Sequence, residues 1–319
     1  TYGGEARFED SQYDGDVDFF GSTYRGSVTF ANASYERRVR LSGSTYGLHA
    51  DLSGCVYRDQ ALLSGCVYAA DVSLRECQYR GNIADFSGCV YRENADLAGS
   101  IYEGATDFSQ SVWHGKARLT GCMYFKNVNF ASSTYRERAD FGGSTFNRDT
   151  DFSGSTYKDV ADFSDSTYKS WAYFSNSTYE NETNFSGSIF YQETYFGEDG
   201  YSNSSSCFTN HAPQFYDKKK RKNTLFGSPN NDFTVDIDKG YPIDLDSEGI
   251  PLGCDLLNPK QKNDLQDIFH EMEKVNNELL EVKDPKEKAE LLKNLQALNE
   301  ELYEWREEAT TVKGEDAAP

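Results

Sequence analysis

The sequence is short of the residues from which catalytic and metal centres are usually built. Its four histidines, His49, His114, His211 and His270, are scattered without metal-ligand spacing. No Gly-x-Ser-x-Gly elbow, Walker sequence or phosphate-cradling glycine loop is present. Seven cysteines, an odd number without a Cys-x-x-Cys pair, argue against a zinc framework or a secreted disulfide scaffold. No apolar run is long enough to cross a membrane, and no secretory signal is visible. Positive charge is scarce too: 32 Lys and Arg stand against 52 Asp and Glu, a net charge of −20 spread along the whole chain. Such acidity disfavours direct nucleic-acid binding and favours solubility and a basic partner. Carboxylates abound, but they recur in columns where a catalytic pair would look like solvation. The expectation is a protein with no enzymatic activity, no cofactor and no metal.

What the chain has is repetition. From Ala6 to about Tyr201, eighteen units begin every eleven residues, as at Ala139, Thr150, Ala161 and Ala172. Position three is always Phe or Leu (Phe8, Leu52, Phe196), and position eight is always aromatic (Tyr13, Trp113, Tyr201). A fixed short period means a solenoid whose units bury apolar side chains only by stacking on their neighbours. Alternation at positions one and three, and again at six and eight, is the period-two signature of strands. One unit per coil would be too narrow to house Phe beside Tyr. Two units per coil give four faces, 22 residues and nine coils, hence a rod roughly 43 Å long at ~4.8 Å per coil.

The units Ala84-Asp85-Phe86-Ser87-Gly88 and Ala161-Asp162-Phe163 stand in the register of the pentapeptide-repeat family, which this stretch resembles over about residues 6–201. The resemblance implies a mainly β fold, a right-handed four-sided β-helix, here with five- and six-residue faces alternating. The chain departs from that pattern in placing Tyr at nearly every second-face centre. Buried Tyr hydroxyls need partners, and the position-six serines Ser22, Ser44, Ser155 and Ser177 are the expected ones.

Several columns follow from this register. Cys55, Cys66, Cys77, Cys89 and Cys122 occupy the inward position six and read as small buried thiols; a disulfide ladder or metal site is the competing reading. Free thiols lean towards a reducing, intracellular compartment, although localisation stays open. An outward ladder runs Thr23, Thr45, Val67, Val90, Val112, Thr134, Thr156, Thr178; good strand residues belong there, and an ice- or surface-binding face is the alternative. The opposite column, from Ser34 through Gln78, Ile101 and Met123 to Ile189, is too mixed for a lattice match. Asp at position two, as in Asp85, Asp107 and Asp162, serves solvation and corner hydrogen bonds in the family; some family members instead present acidic rods to DNA gyrase. One residue is inserted near Arg80-Gly81-Asn82, where Gly and Asn tolerate a bulge.

The solenoid is expected to end near residue 205. Residues 206–257 read as an irregular extended arm, with the basic run Lys218 to Lys222 as a solvated linker segment. Residues 258–308 read as an antiparallel helical hairpin, and residues 309–319 as a disordered tail. Asn258-Pro259 with Gln261, and Asp284-Pro285 with Glu287, are helix-start signatures. Heptad seams run along Leu265, Ile268, Met272, Val275 and Leu279 in the first helix and Leu291, Leu295, Leu298, Leu302 and Trp305 in the second. A two-helix hairpin is marginal alone, so these seams should pack on the solenoid, a second copy or a partner. The functional expectation is a rigid scaffold rod held in a larger protein assembly, or self-associated, through its arm and helices. The alternatives are an acidic DNA mimic that regulates a topoisomerase, and the ice- or surface-binding ladder.

Overall fold

The computed structural model describes residues 1–198, 204–282 and 284–312, and all but the side chains of residues 280 and 285 among them. Tyr201 of the last repeat, Lys283 in the helical turn and residues 313–319 lie outside the described residues.

Each unit supplies two strands of mostly two residues, separated by a corner. The corner is forced at position five, where the backbone is left-handed from Asp10 to Gly187: Gly54 at φ 67°, Gly88 at 63°, Asn32 at 58° and Asp165 at 55°. That region favours Gly, then Asn and Asp, which explains their recurrence. Position two completes the corner: the carboxylates of Asp51, Asp85, Asp107 and Asp162 accept the position-four N–H at 2.8–3.1 Å.

Strands pair in parallel with the strand 22 residues on, Ala6 with Val28 and Tyr13 with Tyr35, giving four sheets. The first face runs from Ala6–Arg7 to Thr183–Asn184, the second from Gln12–Tyr13 to Ile189–Phe190, the third from Val17–Asp18 to Thr194–Tyr195, and the fourth from Thr23–Tyr24 to Thr178–Tyr179. Together they form a solenoid of about nine turns, as the two-unit coil requires. The offset becomes 23 residues across the insertion, Ala61 pairing with Ala84, and there the strands Ile83–Asp85 and Ala105–Asp107 lengthen to three residues.

Inside, same-type rings stack coil on coil: Tyr46 on Tyr68 at 4.7 Å and 5°, Phe130 on Phe152 at 4.8 Å and 3°. Between columns they meet edge to face, as Tyr79 meets Phe86 at 5.4 Å and 84°. These are the two arrangements that the ring quadrupole favours. Each fully buried ring adds about 1.5–3 kcal/mol of burial.

The serine column does not satisfy the tyrosines. Ser44, Ser155 and Ser177 donate instead to the carbonyls of Phe19, Phe130 and Phe152, 25 residues earlier, at 3.0–3.2 Å. Thirteen Tyr hydroxyls from Tyr24 to Tyr179 are buried without a hydrogen-bond partner. Ser133, close to the Tyr135 hydroxyl, likewise donates to the Phe108 carbonyl at 3.2 Å.

The segment expected as an arm closes the rod. Cys207–Phe208 joins the fourth face, Leu225–Phe226 and Asp255–Leu256 join the second, and Phe208, Phe215 and Phe226 stack on Tyr179, Phe185 and Phe190. Its Phe spacing follows no eleven-residue period, so the continuation is invisible to a repeat search. The basic run is a hairpin turn between Tyr216–Asp217 and Lys222–Asn223, with the Asp217 carboxylate capping the N–H groups of Lys219 and Lys220. Helix α1 (Pro259–Glu281) starts with the expected Asn258–Gln261 capping box. Helix α2 (Pro285–Thr310) starts on Asp284 and reaches past residue 308; Thr311 then bridges to Lys222.

Candidate interaction surfaces

The helical hairpin lies along the second face. Leu265, Ile268, Met272, Val275, Leu279, Leu295 and Leu302 are buried against Ile101, Met123, Phe125, Ile189 and Leu225 of the rod, with Leu291, Leu298 and Trp305 half-buried at the margin. Both heptad seams are therefore spent within the chain. Polar contacts set the register: Thr145 Oγ1 donates to Asn299 Oδ1 at 3.2 Å, and Glu273 pairs with Arg148 at 2.6 Å and Lys169 at 3.4 Å. Lys222, from the basic hairpin, pairs with Asp165 and with Glu307 of α2. It also brings positive charge to a helix C-terminus whose last turn has none.

Sequence reasoning missed this footprint, although a signal existed. The second face's outward column changes from Ser34 and Gln78, which are half-exposed, to Ile101, Met123 and Ile189, which are buried. The change marks where the helices begin.

The outward ladder of the fourth face, Thr23, Thr45, Val67, Val90, Val112, Thr134, Thr156 and Thr178, is in strict pairing register and half-exposed along its length. No helix covers it. The first-face carboxylates do not form an unbroken negative stripe: Asp96 pairs with Arg118 at 3.2 Å and Arg75 at 3.5 Å, and Arg138 bridges Asp140 and Asp162.

Cys55, Cys66, Cys77, Cys89 and Cys122 are free and buried. Each thiol donates to a position-three carbonyl, Cys77 to Leu52 at 3.1 Å and Cys122 to Leu97 at 3.3 Å. Burial pushes the Cys122 thiol up to about 11 and raises Cys77 and Cys89, so these stay protonated and unreactive at neutral pH. Among the described residues no group of three or more His, Cys, Asp and Glu side chains converges as metal ligands do, and no helix is long and apolar enough to cross a membrane.

The insertion builds one buried charge pair. Glu103, its side chain 2% exposed, faces Arg80 Nε at 3.8 Å, with Lys288 of α2, Arg58 and Glu36 around them. Burial lifts the Glu103 carboxyl to about 7 against the pull of Arg80 and Lys288.

Large apolar side chains are uncovered at both ends of the rod: Tyr2, Phe20 and Leu48 at the first coils, and four more at the other end. Ile237, Tyr241, Leu245 and Leu252 are 43–67% exposed and belong to the layer that closes the rod. That layer is tied down by the N–H groups of Asp236 and Tyr241 on the carbonyls of Ser206 and Phe208.

Four parallel ladders wrapped on stacked rings define the class: this is a β-solenoid repeat protein. Comparison with known protein families, with curated proteins and with solved structures finds no match to the chain.

Proposed function

We propose that the chain is a pentapeptide-repeat protein of the eleven-residue kind, and that it acts as a non-catalytic rod docked into a larger protein assembly through its C-terminal end. The observation that carries this reading is the exposed apolar group Ile237, Tyr241, Leu245 and Leu252 on the closing layer. The helices have no apolar seam left to offer, and single apolar side chains elsewhere on the surface are ordinary. Four continuous ladders make the rod stiff, which suits a spacer. The acidic-mimic reading draws less support, since arginines interrupt the first-face carboxylates. The ice-binding reading draws less as well, because the fourth-face ladder mixes Val67, Val90 and Val112 with its threonines.

The test is to recover native assemblies with the full chain and with the variant Ile237→Asp, Tyr241→Asp, Leu245→Asp, Leu252→Asp. These side chains are exposed, so the rod should keep its circular dichroism. Loss of specific partners in the variant is expected. An identical partner set for both chains would sink the reading.

A further inference from the structure

A groove of about 590 Å³ lies where α1 leans on the corner between the second and third faces. Its size falls within the range of small-molecule sites, and such sites favour junctions between packed units. Three features of its lining are unusual for this chain.

The first is Trp171. It stands at position eleven of its unit, on the corner that holds Asp16, Arg38, Gln60, Asn127, Asp149 and Glu193 in other coils, with Ile83 and Ala105 as the small or aliphatic exceptions. It is 43% exposed, whereas Trp113 is fully buried in the stack and Trp305 is half-buried under the hairpin. The Trp171 indole takes no part in the buried ring stacks of the core. Beside it the Tyr191 ring also lines the groove, held edge-on against Phe269 at 5.7 Å and 90°.

The second is a set of polar side chains that face the groove unengaged. Gln192 from the rod, and Gln266, Asp267 and His270 from α1, line it and carry no side-chain hydrogen bond or ion pair among the described residues. Side-chain amides offer a donor and an acceptor together, as a ligand hydroxyl does.

The third is the state of the cations. Arg148 and Lys169 reach the groove, but both are held by the Glu273 carboxylate at 2.6 and 3.4 Å. The two cations share that one carboxylate, and with Asp267 the lining carries two positive and two negative charges, which balance. A phosphate-bearing ligand would find no net attraction there, and a neutral polyol needs none.

From these features we infer that the groove binds a neutral saccharide, whose apolar ring face packs on the Trp171 indole while its hydroxyls bond Gln192, Gln266 and Asp267. Packing of an apolar ring face on an aromatic ring is favourable through area burial and ring geometry. This site stands apart from the scaffold reading and does not depend on it.

The test uses the full chain. Cellohexaose, maltohexaose and the hexamer of N-acetylglucosamine are titrated by calorimetry and by saturation-transfer NMR, with ATP as the charged, aromatic contrast. Saturable binding of at least one hexasaccharide is expected. Trp171→Ala should weaken it at least tenfold, Gln266→Ala severalfold, and Trp171→Phe should restore part of the loss. Both positions are exposed, so the variants keep the fold, which circular dichroism checks. Absence of binding by all three sugars, equal binding in Trp171→Ala, or saturable binding of ATP alone would each overturn the inference.

Discussion

At the scale of single residues, the rod accommodates exceptions by pairing them. Four of the five column cysteines sit in units whose position three is Leu rather than Phe, as in Leu52 with Cys55 and Leu74 with Cys77. A larger Sγ beside a smaller aliphatic side chain keeps the coil filled. Glu103 is an exception that the fold tolerates at a cost. Its folded pKa, about 7, lies above its ordinary value of 4.5, so the native state favours the protonated acid. The stability it contributes is complete below pH 4.5 and is lost as pH rises towards 7, a swing of roughly 3 kcal/mol. Glu103→Gln has no such titration, so chemical denaturation at pH 4.5 and pH 8 should find the variant gaining on the parent at the higher pH. A difference that stays flat between the two conditions would refute this account.

At the scale of elements, the strands and helices were legible in the sequence because each obeys a local period. The caps at Asn258 and Asp284 and the helical seams fell where the sequence placed them. What could not be read was what each element packs against. The closing layer reuses the rod's sheets with Phe208, Phe215 and Phe226 at irregular spacing, and only stacking on the last coil reveals the continuity. For the hairpin, the sequence left three partners open and the rod's own second face is the one taken. Leu302 is buried in that contact, so Leu302→Ala should cost about 2–5 kcal/mol. The loss should appear as faster hydrogen exchange confined to α1 and α2. Equal loss of protection throughout the rod would mean that the two fold as one cooperative unit.

At the scale of the molecule, the groove beside Trp171 was illegible for a related reason. Trp171 and Gln266 are 95 positions apart, and no period connects a corner to a helix face. The tyrosine columns, in contrast, were visible from the start and set a property of the whole rod. Burial raises the pKa of Tyr57, Tyr68, Tyr157 and their column mates above the ordinary value near 10. The native state therefore holds them protonated, and their contribution is complete below pH 10. It is lost above that, at roughly 1.4 kcal/mol per pH unit for each tyrosine that ionises on unfolding. Many such groups acting together should give a steep alkaline transition in which phenolate absorbance and loss of β circular dichroism coincide. Smooth ionisation of every tyrosine near pH 10 in a rod that stays folded would contradict the buried columns.

The inserted residue at Arg80-Gly81-Asn82 has one more consequence. In a chain of near-identical units, a strand displaced by a whole coil would find the same hydrogen bonds and the same rings, so translation alone does not forbid slippage. A single 23-residue coil among 22-residue ones breaks that symmetry. It also carries Arg80, with Glu103 on the coil beyond it, the pair that Lys288 of α2 approaches. The irregular coil is thus an index mark on a ruler of otherwise interchangeable graduations.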